Sequence, residues 1–167
     1  MGLRIILSNY FCCDITGHLH RAAKRSHTDA FPVFVGITDF KRAFDFYSAV
    51  MDTLGLRLKF RDDDACCAGW MAADAPRPLF VIARPYDGQP ATVGNGQMLA
   101  LLAADRGTVD CAHATALAYG GACEGSPGLR PHYHADYYGA YFRDPDGNKL
   151  CVCCHEPATT AAVQAAR

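Results

Sequence analysis

The stretch RDPDGNKL, residues 143–150, carries the strongest structural signal in this chain. Segments with strand character flank it on both sides: YGAYFRD ends at position 144 and KLCVCCHEP begins at position 149. The PDGN segment between them favours a hairpin turn, because an Asp-Gly pair accepts the positive backbone angles that such a turn requires. The C-terminal part of the chain is therefore predicted to be two antiparallel strands joined by a tight turn.

Upstream of this hairpin, the chain repeats a pattern of strand, helix and three strands. Asp39 and Asp105 stand where the two predicted helices begin, with Thr38 as an alternative cap for the first, and glycines end both helices. The offset between the two copies is 66 positions at both the acidic and the glycine positions. Two βαβββ modules are the simplest interpretation, and they predict an α+β fold whose concave faces combine into a cleft.

This repeat sets the expected domain boundaries. One domain is predicted over residues 31–157, with module 1 at 31–93 and module 2 at 94–157, and the chain's 167 residues fit this size. Residues 1–30 are expected to be an extension outside the main fold, and 158–167 a C-terminal tail. The extension has an apolar start but no small-residue cleavage pattern, so it does not match a secretory signal.

Composition excludes several classes of function. The formal net charge is -1, which argues against nucleic acid or an anionic membrane as a partner. No apolar run approaches the roughly 18 residues that a membrane span needs. The nine cysteines are odd in number and include vicinal pairs, which does not fit a disulfide framework. They are interpreted as reduced thiols, so a cytoplasmic protein is expected.

Two longer stretches resemble a known family. FVGITDFKRAFDFYSAVMDTLGLRL at 34–58 resembles the opening module of the vicinal oxygen chelate superfamily, and GLRPHYHADYYGAYFRDPDGNKLCVCCH at 128–155 is similar to its closing module. This superfamily includes glyoxalase I, extradiol dioxygenases and bleomycin or fosfomycin resistance proteins. The resemblance implies paired βαβββ modules around a cleft, and a homodimer is expected.

The resemblance also locates the positions at which metal-dependent members hold a divalent ion through His, Glu or Gln. The first-strand position lies seven residues before the Asp that opens each helix, and it is occupied by Pro32 and Met98. The last-strand position holds Cys151, with Phe80 taken as its counterpart in module 1. Hard ions prefer oxygen or imidazole ligands, which these side chains do not offer. No metal or other cofactor is therefore expected, and a divalent ion at a relocated site is the alternative.

Candidate binding residues lie close to the hairpin. His132 and His134 alternate along the chain, so an extended backbone directs both imidazoles the same way, either to act as acid or base or to pin the loop. Arg130 is a candidate partner for a ligand carboxylate. Cys151, Cys153, Cys154 and His155 could form a soft-metal cluster, but their spacing along a strand suits joint ligation poorly. The thiols are therefore interpreted as small apolar side chains packed against the helices, except Cys151, which the resemblance directs into the cleft. Because successive strand residues point to opposite faces, the side chains of Tyr137, Tyr138 and Tyr141 are expected to divide between the cleft and the core. The predicted ligand-binding set is Trp70, Arg130, His132, His134, Tyr138 and Cys151.

These residues predict a protein that binds a small aromatic or anionic molecule in a metal-free cleft. The alternative is a glyoxalase-like lyase or isomerase, of the lactoylglutathione-lyase type or related, with His132, His134 or His155 in a relocated site. A third hypothesis is a partner-binding domain whose cleft is filled by its own side chains. Whether the chain is an enzyme is left open at this point.

Overall fold

The computed structural model describes residues 32–74 and 78–157, which form two βαβββ modules. The elements of module 1 are β1 (Val33–Gly36), α1 (Phe40–Thr53), β2 (Arg57–Asp62), β3 (Cys67–Met71) and β4 (Leu79–Ala83). Those of module 2 are β5 (Leu99–Leu102), α2 (Arg106–Ala118), β6 (Ala122–Leu129), β7 (Tyr138–Arg143) and β8 (Lys149–Cys154). The predicted α+β architecture is confirmed, while the predicted extension and tail lie outside the described residues.

Each module contains one four-stranded sheet with the same strand order. The orders are β1-β4-β3-β2 and β5-β8-β7-β6. The first and last strands of each module run parallel, β1 beside β4 and β5 beside β8, and the other neighbours are antiparallel. The repeat inferred from two helix starts therefore extends to the topology of the sheets.

The helices begin at the predicted aspartates. The Asp39 carboxylate accepts a hydrogen bond from the Arg42 backbone N–H at 3.0 Å, and Asp105 accepts from the Thr108 N–H at 2.7 Å. Each bond satisfies one of the free N–H groups of a helix's first turn. Asp39, and not Thr38, is therefore the cap of α1.

The helices pack on one face of the sheets, and among residues 32–74 and 78–157 no helix packs on the other face. Along β8, Leu150, Val152 and Cys154 belong to the hydrophobic core formed with α1 and α2, whereas Cys151 and Cys153 do not. Successive strand residues point to opposite faces, so these two cysteines lie on the face away from the helices. We call this the concave face of module 2.

The hairpin that follows β7 joins the two modules. Asp144 is buried and accepts hydrogen bonds from the Tyr47 hydroxyl on α1 at 2.7 Å and from the Asn148 side chain at 2.8 Å. Asn148 also donates to the Gly36 carbonyl of β1 at 3.0 Å. The turn therefore fixes α1 and β1 of module 1 relative to β7 and β8 of module 2.

Strand β6 is longer than the sequence predicts. The segment ACEG at 122–125 favours a short strand and the Gly- and Pro-containing SPGLRPHYHADY at 126–137 favours a loop, but pairing with β7 continues to Gly128 opposite Gly139 and Leu129 opposite Tyr138. The register shifts twice along β6, and these irregularities accommodate the Gly and Pro residues that favoured a loop. The loop between β6 and β7 is consequently short, and it holds His132 and His134 against the end of the sheet.

No helix in residues 32–74 or 78–157 is long and apolar enough to cross a membrane.

Candidate binding face

Three tyrosines and two histidines surround the two cysteines of the concave face. Tyr141 on β7 pairs directly with Cys151 on β8, so both side chains share this face. The loop before β7 adds Tyr133 and Tyr137, whose ring centroids lie 4.9 Å apart. We call the complete set the tyrosine–histidine face: Tyr133, His134, Tyr137, Tyr141, Cys151, Cys153 and His155, with Arg130 and Lys149 at its border.

Tyr137 covers the two thiols. Its hydroxyl lies 3.6 Å from Cys151 Sγ, and its ring occupies the space left by Gly139, where an added Cβ would meet the ring at 2.9 Å. Burial raises the pKa of the Cys151 thiol to about 11. Burial also raises the pKa of Tyr137, with the neighbouring thiols adding to the effect. Both groups are therefore neutral at physiological pH.

The two histidines are in direct contact. His134 Nε2 and His155 Nδ1 are 2.7 Å apart, and the two rings are inclined by 20° with centroids 4.9 Å apart. His155 Nε2 lies 3.8 Å from Cys153 Sγ, and His134 Nδ1 accepts the Asp136 backbone N–H at 3.2 Å. The loop that carries His134 thus meets the end of β8, and a thiol lies beside two coupled imidazoles.

Two cations border Tyr141. The Arg130 guanidinium is 5.5 Å from the ring centroid, and it donates hydrogen bonds to the backbone carbonyls of Ser126 and Leu129. Lys149 Nζ is 6.0 Å from the same ring and pairs with Glu124 at 3.1 Å. In the described part of the chain, no carboxylate forms an ion pair with Arg130. Among the described residues, Arg130 is therefore the cation of this face that no carboxylate pairs with.

Arg143 lies beside Lys149 and shares its partner. It donates to Glu124 at 2.7 Å and to the Gly147 carbonyl at 2.7 Å. Its sequence neighbours Asp144 and Asp146 are not its partners, because their carboxylates bind the turn and α1 instead. Hydrogen bonds from Arg143 and Lys149 lower the pKa of Glu124.

A groove between the two modules reaches the edge of this face. It has a volume of about 430 Å³ and runs between β1, β5 and the loop at residues 92–98, with Asn148 and Lys149 at its end. Small-molecule sites in proteins typically enclose about 300–1,000 Å³. The groove does not include the tyrosines or the histidine pair, so Lys149 is the residue that links the two surfaces.

The structure brings together four of the six predicted binding residues. Arg130, His134 and Cys151 lie on the tyrosine–histidine face. His132 lies at its rim, with its ring centroid 4.2 Å from that of Tyr133. The His134 imidazole contacts His155, whereas the His132 ring contacts Tyr133.

Trp70 and Tyr138 do not join this face. Trp70 is 2% exposed and packs in the core of module 1 against Tyr47 and Phe80, at centroid distances of 6.4 and 6.2 Å. Tyr138 points to the helix side of β7, where its hydroxyl donates to Asp110 on α2 at 2.8 Å. Both side chains stabilise the packing of a helix on its sheet.

The strand register corrects one of the four positions compared with the family's metal ligands. Phe34 pairs with Val81, and Ala100, its equivalent in module 2, pairs with Cys151. Val81 is therefore the counterpart of Cys151, and Phe80, one residue away, points into the core. The sequence alone left the register of β4 open, because LFVIA is apolar on both faces.

These positions do not fit a divalent ion. Pro32 has no donor side chain, Val81 is apolar, and Met98 and Cys151 offer only a thioether and a protonated thiol. Across residues 32–74 and 78–157, no three His, Cys, Asp or Glu side chains are arranged to hold a metal ion. No step of a mechanism is therefore assigned to an ion at the family position.

Several residues of this face were not in the predicted set. Cys153 was interpreted as a thiol packed against the helices, and His155 was kept as a candidate only for a relocated catalytic site. Tyr137 and Tyr141 were not assigned to the cleft, and Tyr133 and Lys149 were not considered. The sequence pattern could have identified two of these residues. Strand alternation places Cys153 on the same face as Cys151, and the hairpin pairs Tyr141 with Cys151. The loop residues had no such signal, since their positions depend on the register of β6.

Comparisons with known proteins agree with the observed topology. The family model of the Glyoxalase/Bleomycin resistance protein/Dioxygenase superfamily matches residues 27–152. Among curated proteins, none matches the sequence.

Several solved structures share the fold. A glyoxalase/bleomycin resistance protein from Albidiferax ferrireducens T118 is 36% identical, with 75% of this chain and 98% of that chain covered and a TM-score of 0.68. A lactoylglutathione lyase from Agrobacterium tumefaciens is 19% identical, with 78% and 96% covered and a TM-score of 0.53. A hypothetical protein from S. aureus is also 19% identical, with 76% and 93% covered and a TM-score of 0.57.

Proposed function

Because the chain belongs to the glyoxalase/bleomycin resistance protein/dioxygenase superfamily, we propose that it binds a small aromatic or anionic molecule on the tyrosine–histidine face, without a metal ion at the family position. The observation that carries this proposal is the arrangement of three tyrosine rings beside Arg130. Aromatic rings offer stacking surface to a planar ligand, and their hydroxyls orient it. A guanidinium that has no carboxylate partner among residues 32–74 and 78–157 favours an anionic group on the same ligand.

The neighbouring groove supports this assignment. Its polar end at Lys149 adjoins Tyr141, so a ligand stacked on the tyrosines would extend toward the groove. Glu124 holds Lys149 in place but also neutralises it. The principal anion contact is therefore assigned to Arg130, with Lys149 as a secondary contact.

Thermal-shift screening with small aromatic acids, followed by calorimetric titration of any compound that stabilises the protein, tests this function. Losing a hydrogen-bonded charge contact costs about 1.5–3 kcal/mol, so Arg130→Met should weaken binding at least tenfold. Tyr141→Leu should weaken it as well, whereas Tyr138→Phe, on the opposite face of the same strand, serves as the matched control. Equal affinities for Arg130→Met and the unmodified protein would contradict the proposal.

We also propose that the protein is a cytoplasmic homodimer. Large apolar side chains remain exposed on the concave side of both sheets, with Phe34 64% and Leu102 71% accessible. A second copy is the occupant that fits such a surface, because its own concave faces carry the same apolar side chains. The cysteines described are all free, which suits a reducing compartment. Sedimentation of Leu102→Asp should give a monomer if the proposed interface is right, and an unchanged dimer would exclude it.

A second candidate function is supported by the contact between His134 and His155. A hydrogen-bonded imidazole pair can transfer a proton near neutral pH, as a glyoxalase-like lyase or isomerase requires, with or without a relocated divalent ion. In this case His134→Ala and His155→Ala should each abolish turnover of a hemithioacetal, while His132→Ala, at the rim, should not. Full turnover by both variants would remove the enzymatic alternative.

A further inference from the structure

A chain of hydrogen bonds runs from the backbone to the sulfur of Cys153. It begins at the Asp136 N–H, which donates to His134 Nδ1 at 3.2 Å, and continues from His134 Nε2 to His155 Nδ1 at 2.7 Å. It ends where His155 Nε2 lies 3.8 Å from Cys153 Sγ. The proposed binding of aromatic or anionic molecules does not use this chain.

The backbone fixes the direction of the chain. A peptide N–H can only donate, so His134 Nδ1 carries no proton and His134 bears its proton on Nε2. That proton is donated to His155 Nδ1, which must therefore be the acceptor. Neutral His155 then carries its own proton on Nε2, the nitrogen that faces Cys153. The sulfur consequently receives an N–H donor, an arrangement that stabilises a sulfur bearing negative charge.

We propose that Cys153 is a nucleophilic thiol that captures an α,β-unsaturated carbonyl compound seated on the tyrosine–histidine face. His155 donates to the sulfur, and His134 is the positioning residue that holds His155 in the required tautomer. This proposal deepens the proposed function. It rests on that function in one respect, because the same face must receive a small molecule. A conjugated carbonyl compound suits the face because it is flat, like the rings that surround it, and because its β-carbon is a soft electrophile that a thiolate attacks readily.

The reaction is balanced without an oxidant or a reductant. The thiol proton passes to water, and the sulfur forms a bond to the β-carbon of the ligand. The electron pair of the C=C bond moves toward the carbonyl oxygen, and the resulting enolate takes a proton from water at the α-carbon. The net change is addition of S–H across the double bond.

The neighbouring thiol does not share this arrangement. Cys151 is fully buried, its contact is the Tyr137 hydroxyl instead of a histidine, and burial raises its pKa to about 11. It stays protonated near neutral pH and serves as an internal comparison on the same strand. Cys111 on α2 is exposed, so it supplies the comparison for an accessible thiol.

Labelling with N-ethylmaleimide, a small conjugated imide, tests the proposal on the full chain. Peptide mapping by mass spectrometry after short exposure gives a rate for each cysteine and requires no variant. Cys153 is only 5% exposed, so accessibility alone predicts that it reacts more slowly than Cys111. We expect the reverse, with Cys153 at least tenfold faster. A rate at Cys153 equal to or below that of Cys111 overturns the proposal.

Histidine variants then separate the relay from a structural role. His155→Leu and His134→Leu should each slow labelling of Cys153 at least tenfold and leave the Cys111 rate unchanged. His134→Gln should restore most of the rate, because its amide N–H can still donate to His155. If His134→Gln behaves like His134→Leu, His134 does not act as a donor and the relay is wrong.

This experiment and the test of the proposed function fail independently. Maleimide labelling needs no bound aromatic acid, and calorimetry with an aromatic acid needs no reactive thiol. Fast labelling of Cys153 without aromatic-acid binding would remove the proposed function and support the thiol's reactivity. Binding of an aromatic acid without fast labelling of Cys153 would support the proposed function and remove the reactive thiol.

Discussion

Removing one buried hydroxyl tests the junction between the modules. In Tyr47→Phe, Asp144 loses the 2.7 Å hydrogen bond from α1 but keeps those from the Asp146 and Asn148 N–H groups and the Asn148 side chain. A hydrogen bond to a charged group contributes about 1.5–3 kcal/mol, and the retained donors favour the lower end. We therefore expect the free energy of unfolding to fall by about 1.5 kcal/mol at pH 8. For a chain of this length, that corresponds to a melting temperature about 3–6 °C lower.

The same variant has a distinctive dependence on pH. Burial, and then the charge of Asp144, raise the pKa of Tyr47 well above its ordinary value. The folded protein therefore keeps this proton when the unfolded chain loses it, above about pH 10. The contribution of Tyr47 to the free energy of unfolding is fully present below pH 10 and declines above it. The decline amounts to about 1.4 kcal/mol between pH 8 and pH 11. Tyr47→Phe has no such proton, so its stability deficit should shrink to near zero at pH 11.

Urea unfolding at pH 8 and at pH 11 measures both quantities. Tyr86→Phe is the matched control, because Tyr86 is fully exposed and should change neither the stability at pH 8 nor its alkaline decline. Other tyrosines and lysines titrate in both proteins and cancel in the difference. A deficit of the same size at both pH values would refute the reasoning, since it would mean that the folded state does not hold the Tyr47 proton.

Further predictions concern helix α2, the turn that follows it and the start of β6. Gly121→Ala should lower the free energy of unfolding by about 1–3 kcal/mol in urea titrations, because its Cβ would lie 2.8 Å from the backbone oxygens of Ala116 and Arg143. Gly107→Ala, whose Cβ meets only a side-chain oxygen at 3.5 Å, should instead stabilise α2 by about 0.5 kcal/mol. Because its pKa is lowered in the folded protein, ionised Glu124 stabilises the fold at pH values above the ordinary carboxyl pKa. This stabilisation is lost as the pH falls through the lowered pKa of Glu124. Melting temperatures from pH 6 to pH 3 should therefore decline less steeply in Glu124→Gln than in the unmodified protein.

The fold was predictable because local signals agree with the tertiary structure. Asp39 and Asp105 each cap a helix through a local hydrogen bond that does not depend on the rest of the fold. The Asp-Gly pair at 146–147 closes a hairpin, with Gly147 at φ 92°. The equal spacing of the two caps and of the glycines that end the helices reveals the repeat. The two-module architecture therefore follows from short-range interactions. The length of β6 did not follow, because pairing with β7 overrides the preference of Gly and Pro for a loop.

The binding face was only partly predictable, because it depends on register and on loop contacts. Strand alternation is enough to place Cys151 away from the helices. It cannot decide between Phe80 and Val81 in β4, where residues on both faces are apolar. Nor can it show that His134 meets His155, since the contact joins residues 21 positions apart and depends on the loop between β6 and β7.

The division of β8 into two faces explains how this fold can persist with a different chemistry. Leu150, Val152 and Cys154 hold the sheet against the helices, and Asp144 and Asn148 anchor the hairpin to module 1. Cys151 and Cys153 take no part in either set of contacts. A change of side chain at those two positions therefore leaves the register of β7 and β8 intact, because the opposite face and the turn specify it. The same strand pair can present carboxylate, thiol or apolar groups to the concave face, so the fold constrains where the chemistry occurs without determining what it is.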